Sequence, residues 1–216
     1  MTARPEGGRT RAGGGQAAYA AARGPERPTA EEMIASLDLS PHREGGYFRE
    51  TYRSSVRVAT AHGERSASTG IAYLLTATEP SRFHRLRSDE MWFYHSGALA
   101  ELLLLRPLSA AGPAKKSGED YLPKHQVIGP TSPYALVPAG WWVAVRVIVG
   151  EQTDWGIGRA PERRWTADRR TTRECDWTLV SCAVTPGFEY EDFEMAGRES
   201  LVKDYPLAAE LIRALT

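Results

Sequence analysis

Apolar and polar positions alternate along most of this chain with a period of two. The runs that show this alternation are 47–52, 69–76, 90–96, 99–106, 124–129, 134–137, 141–149 and 177–184. Alternation with this period is typical of β-strands, because successive side chains of a strand point to opposite faces of a sheet. Glycine and proline turns separate the runs, and no long helical pattern lies between them. The pattern predicts eight or nine antiparallel strands in an all-β jelly roll or a similar barrel.

Short helices are predicted at both ends of this strand region. Thr29 and Glu32 have the spacing of a capping box, in which their side chains accept hydrogen bonds from free backbone amides at a helix start. The apolar face of this first helix would be formed by Met33, Ile34 and Leu37. A closing helix is predicted to start near Pro206, a residue suited to a first helical turn. Its apolar face would be formed by Leu207, Leu211, Ile212 and Leu215.

Two segments lie outside the alternating pattern. Residues 1–28 are rich in glycine, alanine and arginine and contain one aromatic residue, so they bury too little apolar area to offset the entropy of ordering. We expect a disordered tail over 1–28 and a single domain over 29–216. Residues 150–176 are charged and have no sustained period, which predicts a long surface loop inserted in that domain.

The charge balance and the apolar runs exclude several classes of partner. The 216 residues include 27 lysines and arginines and 27 aspartates and glutamates, so no net positive field attracts nucleic acid or anionic lipid. Every apolar run is far shorter than the roughly 18 to 20 residues of a membrane-spanning helix. Two cysteines are too few for a disulfide framework. We expect a cytoplasmic protein, with the nucleus as an alternative and without organelle targeting by the tail, that binds neither nucleic acid nor membrane.

Four segments of the chain carry a resemblance to a known family. They are PHREGGYFRETY at 41–52, PSRFHRLRSDE at 80–90, VPAGWW at 137–142 and LVSCAVTPGFEYEDFE at 179–194. With these segments the chain resembles the cupin family of domain of unknown function 985. The resemblance implies an RmlC-like double-stranded β-helix, which is a jelly roll, with a pocket inside the barrel. It also implies a homodimer, and it indicates the architecture better than the function.

The general cupin pattern supplies four metal ligands, and this chain keeps two of them. His84 and Glu90 match the first histidine and the glutamate of that pattern, whereas Leu86 and Val143 stand where the other two histidines are expected. Transition-metal enzymes normally use three or more protein ligands. We therefore predict no cofactor and no metal, with His84 and Glu90 as the ligands if a divalent metal binds at all.

A proton-transfer site is predicted inside the barrel. Alternation places Glu90, Trp92 and Tyr94 on one face of the strand 90–96, and His84 lies on the neighbouring strand. An imidazole, a carboxylate and a phenol in one cavity can move protons without a metal. We predict His84 as the base, Glu90 as the group that orients its ring, and Tyr94 as the acid.

Ligand-binding residues are predicted on three strands. One face of the strand 47–52 should line the cavity, and the sequence leaves open whether that face is Tyr47/Arg49/Thr51 or Phe48/Glu50/Tyr52. Arg49 is the more useful candidate, because a guanidinium anchors a carboxylate or a phosphate with two hydrogen bonds. The predicted ligand-binding residues are Tyr47, Arg49, Trp92, Trp141 and Val143.

The predicted function is the binding of a small polar metabolite, with metal-independent epimerisation or isomerisation of a carbohydrate-like substrate as its chemistry. Two alternatives stay open. One is a non-catalytic binding or sensing protein, in which His84 and Glu90 only satisfy each other's hydrogen bonds. The other is a divergent metal-dependent enzyme with further ligands. Candidates for these ligands are His42 and His125.

Overall fold

The computed structural model of the protein describes residues 27–108, 121–149 and 175–216. The predicted tail and the predicted loop over 150–176 lie outside these residues, except at their edges. The described residues form thirteen strands and three α-helices, with single 3₁₀ turns at Tyr190–Asp192 and Pro206–Ala208. The strands are β1 (Ser40–Pro41), β2 (Tyr47–Arg53), β3 (Arg57–Thr60), β4 (Gly63–Ser66), β5 (Thr69–Thr76), β6 (Ser81–Leu86), β7 (Asp89–Gly97), β8 (Leu99–Leu105), β9 (Lys124–Ile128), β10 (Tyr134–Val137), β11 (Trp142–Ile148), β12 (Trp177–Thr185) and β13 (Phe193–Met195). The helices are α1 (Ala30–Ser36), α2 (Arg198–Asp204) and α3 (Ala209–Ala214).

Eleven of these strands form two antiparallel sheets. The first sheet has the strand order β1-β2-β5-β12-β7-β10, and the second has the order β13-β6-β11-β8-β9. The remaining strands, β3 and β4, form a separate hairpin. Apart from β1–β2 and β8–β9, neighbouring strands in these sheets are not consecutive along the chain, as in a double-stranded β-helix. The predicted jelly roll is confirmed.

The main core lies between the two sheets. Tyr73 and Trp92 of the first sheet pack in one cluster with Leu102, Leu104 and Val145 of the second, and all five side chains are buried. Removing each of them from water stabilises the fold by about 1.5–3 kcal/mol. This packing fixes the distance between the sheets around the barrel interior.

A second core covers the outer face of the second sheet. Leu103 and Trp142 pack there against Leu201 of α2 and Ile212 of α3. Both faces of β8 are therefore buried, which explains why residues 102–105 are leucine throughout rather than alternating. The two neighbouring indoles pack on opposite faces of the second sheet. Trp141 packs against the main core, and Trp142 packs against the terminal helices.

The predicted terminal helices are confirmed in part. The hydroxyl of Thr29 accepts a hydrogen bond from the Glu32 amide at 3.2 Å, and Glu32 Oε2 accepts one from the Thr29 amide at 2.8 Å, so the capping box forms. The closing region is instead two helices with a 3₁₀ turn between them. That turn breaks the helical period, so Leu207 is 49% exposed and its predicted place on the apolar face is wrong. No described helix is both apolar and long enough to cross a membrane.

Candidate functional site

A cavity of about 140 Å³ opens from the interior of the barrel. Strands β2, β5, β6, β7 and β12 form its walls together with the turn before β2 and the segment 188–193. Its acidic and basic side chains are those of His42, Glu44, Glu50, Arg53, His84 and Glu90, with Glu189 at the segment 188–193, and Thr69 and Tyr190 add hydroxyl groups. The remaining walls are aromatic and aliphatic, so a few polar groups stand in an otherwise apolar space, as in most small-molecule sites.

A glycine turn brings Glu44 into this cavity. Gly45 and Gly46 have φ angles of 115° and 63°, in the left-handed region that favours glycine. A Cβ atom on Gly45 would also lie 2.1 Å from the carbonyl oxygen of Pro80. The turn therefore passes close to the chain just before β6, and the Arg82 amide donates a hydrogen bond to the Glu44 carbonyl at 2.8 Å.

The Glu44 carboxylate is the centre of a buried polar network. Its Oε1 accepts hydrogen bonds from the Tyr73 hydroxyl at 2.8 Å and from the Ser81 hydroxyl at 2.9 Å. Its Oε2 lies 3.4 Å from both His42 Nδ1 and His84 Nε2. Burial alone would raise the pKa of Glu44, but His84, His42 and the Tyr73 hydroxyl outweigh burial and lower the pKa to about 2. Glu44 is therefore ionised at neutral pH.

The His84 ring is held in one orientation. Its Nδ1 lies 2.8 Å from the carbonyl oxygen of Arg82. A carbonyl oxygen only accepts, so Nδ1 carries a hydrogen and Nε2 is the atom that can exchange a proton. Nε2 faces Glu44, and the ring stacks on Phe193 with 5.5 Å between the centroids. A carboxylate at this distance stabilises the imidazolium that forms when Nε2 takes a proton.

Glu90 is the second buried carboxyl group of the cavity. It is 6% exposed, and its Oε2 has no hydrogen-bond partner among the described residues. Burial raises the pKa of Glu90 to about 7, with His84 opposing the rise and Glu44 adding to it. At neutral pH this carboxyl group is therefore divided between its neutral and ionised forms. Two carboxyl groups in one cavity with pKa values pushed apart are typical of an acid–base site.

Of the three predicted catalytic residues, the structure brings two to the cavity. His84 and Glu90 both line it, whereas Tyr94 does not. Tyr94 shares a strand face with Glu90 but lies four residues farther along β7, a distance of about 13 Å. Its hydroxyl donates a hydrogen bond to the Gly97 carbonyl at 2.7 Å. The predicted place of Tyr94 in the site is corrected on this ground.

On β2, the face with Phe48 and Glu50 lines the cavity. Tyr47 packs against the main core and Arg49 is exposed outside the cavity lining, so the structure does not bring them to the cavity, and their ligand contacts stay a prediction. The pairing of β2 with β5 shifts its register just after Glu50. This irregularity brings Arg53 to the cavity, and alternation alone does not predict that position.

The other three predicted ligand-binding residues are core residues. Trp92 is fully buried against Tyr73, with 5.7 Å between ring centroids. Trp141 packs against the main core, and the ammonium of Lys124 lies 5.0 Å from its ring. Val143 is buried and is the direct cross-strand partner of His84. None of these three side chains lines this cavity, and their ligand contacts stay a prediction.

The donor set of the cavity does not fit a metal ion. Within residues 27–108, 121–149 and 175–216, no three His, Cys, Asp or Glu side chains are placed to hold one. Beside His84, the position for a second ligand is occupied by the apolar Val143. His125 does not line the cavity, and its Nδ1 lies 2.8 Å from Glu101 Oε1. No step proposed below involves a metal, and the absence of a cofactor stays a prediction.

The segment 188–194 forms a roof over the cavity. It contributes three rings to the lining, those of Phe188, Tyr190 and Phe193. The three shortest arginine–carboxylate pairs of this segment hold it to the two sheets and to the β3–β4 hairpin. They are Arg53 to Glu189 at 2.8 Å, Arg65 to Asp192 at 2.6 Å and Arg85 to Glu194 at 2.6 Å.

Sequence reasoning missed the contributions of Glu44 and Arg53, and it named His42 only as a candidate metal ligand. The available signal was the His-x-Glu sequence immediately before the Gly45–Gly46 pair, since polar residues beside a glycine turn often reach a site. Cys182 lines the cavity too, but burial raises the pKa of its thiol far above the ordinary value, so it stays protonated.

The fold agrees with what sequence comparison finds. Residues 31–196 match the family described as Cupin superfamily (DUF985). The chain belongs to this cupin family. The predicted family is confirmed, and the matched residues include the glycine turn before β2 and the whole roof over the cavity.

Relatives of this cupin come from distant organisms. A hypothetical protein from Leishmania major has 30% sequence identity and a TM-score of 0.66, with 88% of this chain and 99% of that chain covered. A protein from Shewanella oneidensis has 26% identity and a TM-score of 0.63, with 88% and 98% covered. An uncharacterized protein of Saccharomyces cerevisiae is 29% identical over 194 residues, which are 83% of this chain and 81% of the relative. These names state no activity, so the likeness supports the family and the fold.

Proposed function

We propose that this cupin is an epimerase or isomerase that moves protons on a small carbohydrate-like substrate without a metal. The observation that carries the proposal is Glu90, whose carboxyl group is buried in the same cavity as the His84–Glu44 pair and has an unpaired Oε2. A pKa of about 7 suits a group that must both donate and accept a proton at neutral pH.

The geometry supports a division of roles among three side chains. His84 Nε2 takes a proton from the carbon next to the substrate carbonyl. Glu44 orients the ring and stabilises the imidazolium, which is the role that the sequence analysis assigned to Glu90. Glu90 gives a proton to the substrate, in place of Tyr94. Glu90 then takes a proton back from the enediol oxygen, and His84 returns its proton to the neighbouring carbon, so both groups recover their starting forms and no net proton is consumed.

Solvent exchange tests this proposal. Aldoses and ketoses of about three to six carbons are incubated with the protein in D₂O, and NMR measures deuterium at the carbon next to the carbonyl. We expect incorporation with the natural protein and a fall of at least about a hundredfold in His84→Gln and Glu90→Gln. Tyr94→Phe should leave the exchange unchanged, because the hydroxyl it removes contacts Gly97 outside the cavity.

Two outcomes would contradict the proposal. Sugars that bind with no exchange would favour the non-catalytic binding protein. Exchange that survives in Glu90→Gln but is lost in Tyr94→Phe would place the acid elsewhere. Matched folding of each variant is checked by circular dichroism.

We also propose that the protein works as a homodimer in the cytoplasm. Support for a dimer comes from an apolar patch on the first sheet, where Phe93, Tyr134 and Leu136 are 38%, 63% and 44% exposed and Tyr134 pairs directly with Phe93. Both cysteines are free thiols, which agrees with a reducing compartment. Sedimentation analysis at micromolar concentration tests the dimer, and a monomer would contradict it.

A further inference from the structure

Carboxyl groups outnumber cations around the cavity. Among the described residues, its lining has four glutamates, which are Glu44, Glu50, Glu90 and Glu189, and a single guanidinium, that of Arg53. Arg53 already donates its Nε and Nη2 to Glu50 at 3.0 and 2.8 Å and its Nη1 to Glu189 at 2.8 Å. This guanidinium is therefore neutralised at the mouth and does not serve as an anchor for an anion.

The deep end of the cavity contains a hydrogen-bond acceptor that a ligand with a donor group could satisfy. Glu90 Oε2 is buried and makes no hydrogen bond of ordinary geometry with the described residues, although the Trp92 indole and the Cys182 thiol lie near it, and the ionised Glu44 lies in the same space. A buried carboxyl oxygen without a partner is costly, because it has lost its hydrogen bonds to water. The N–H groups of a protonated amine, or the hydroxyl group of an amino alcohol such as choline, would satisfy it, and the positive nitrogen would neutralise negative charge.

Aromatic rings form the walls beside these carboxyl groups. Phe48 lies below the roof, and Phe188 and Phe193 belong to the roof with 5.9 Å between their centroids. The face of an aromatic ring carries partial negative charge and attracts ammonium groups that have left water. Aromatic walls around a carboxylate are a combination that recognises cations, whereas a carboxylate or phosphate ligand would be repelled by the same groups.

We propose that the substrate of this cavity is a small organic cation, a protonated amine or a quaternary ammonium compound, of which about six to eight non-hydrogen atoms are enclosed. The inference rests on the proposed function, because the cation is the substrate of the same proton-transfer site. The size follows from the volume of about 140 Å³, since an apolar cavity of about 150 Å³ accommodates benzene. An amino sugar or a smaller amine with a carbonyl group fits this description, and a sugar phosphate does not.

A pair of probes that differ only in charge tests the inference. Choline and 3,3-dimethyl-1-butanol have the same shape, but the first carries a positive nitrogen where the second has a neutral carbon. Isothermal titration calorimetry should find that choline binds at least about tenfold more tightly. Equal affinity, or tighter binding of the neutral alcohol or of the anion 3,3-dimethylbutyrate, would overturn the inference.

Two variants locate the preference for the cation. Glu44→Gln removes the buried charge and should abolish the difference between the probes. Glu50→Gln removes an exposed charge at the mouth, where folding is not at risk, and should reduce the affinity for choline several-fold. Glu210→Gln is the matched control, because this exposed carboxylate lies on α3, away from both the lining and the roof, and should leave the preference unchanged.

Binding and exchange separate this inference from the proposed function. A preference for choline without deuterium exchange on any carbonyl compound would contradict the proposed function alone. Deuterium exchange on neutral sugars without a preference for choline would contradict the inference alone.

Discussion

Glu90→Gln is expected to stabilise the protein at pH 8 by roughly 3 kcal/mol more than it does at pH 4. The pKa of Glu90 is about 7 in the folded protein against an ordinary 4.5. As the pH rises from 4.5 to 7, the unfolded chain has released this proton while the folded protein still holds it, so the free energy of unfolding falls. A glutamine has no proton to lose, so the variant lacks this decline. Urea denaturation at a series of pH values measures the difference.

The pH dependence is the decisive readout for this variant. Any cost of burying the amide is the same at both pH values and cancels in the comparison. Glu64→Gln is the control, because this exposed carboxyl group should change the free energy of unfolding by less than about 0.5 kcal/mol at either pH. A free-energy difference for Glu90→Gln that does not vary with pH would contradict the raised pKa.

Glu44→Ala is expected to destabilise the protein by about 3–5 kcal/mol at pH 7. It leaves the buried Ser81 hydroxyl and the His84 ring without the carboxylate that they contact. Because the folded pKa of Glu44 is about 2, its stabilising contribution is present above pH 4.5 and is lost as the pH falls towards 2. The deficit of the variant should therefore shrink over that acid range, which urea denaturation also measures.

A surface pair supplies the comparison for Glu44. Glu194 pairs with Arg85 at 2.6 Å, but both side chains are exposed. Glu194→Ala should therefore cost less than about 1 kcal/mol. Similar costs for the two alanine variants would show that the Glu44 network contributes no more than a surface ion pair. Glu44→Gln, which keeps an acceptor for Ser81, should fall between them.

Much of the fold follows from alternation along the chain, because a strand that buries one face must place apolar residues at every second position. The β3–β4 hairpin was missed for the same reason. Its sequences, RVAT and GERS, are short and charged, and tertiary contacts rather than burial of one face place them. The break at Pro206–Ala208 was also missed, since Pro206 alone did not distinguish the start of a long helix from a 3₁₀ turn.

The site was harder to predict than the fold. Alternation gives the face of a side chain but not its position along the barrel, so Tyr94 was placed with Glu90 although it lies about 13 Å away. The irregularity after Glu50 brings Arg53 to the cavity, which no periodic pattern indicates. Glu44 depends on the glycine turn and on its approach to Pro80, a contact between distant parts of the chain.

The central claim is that the two buried carboxyl groups of one cavity hold their protons at different pH, and direct titration tests it. Carboxyl carbons of ¹³C-labelled glutamate are followed by NMR across pH 2 to 9, with Glu44→Gln and Glu90→Gln used to assign the two signals. We predict that Glu90 titrates near pH 7 while Glu44 stays ionised until the pH approaches 2. Two signals that both titrate near the ordinary pKa of glutamate would contradict the account.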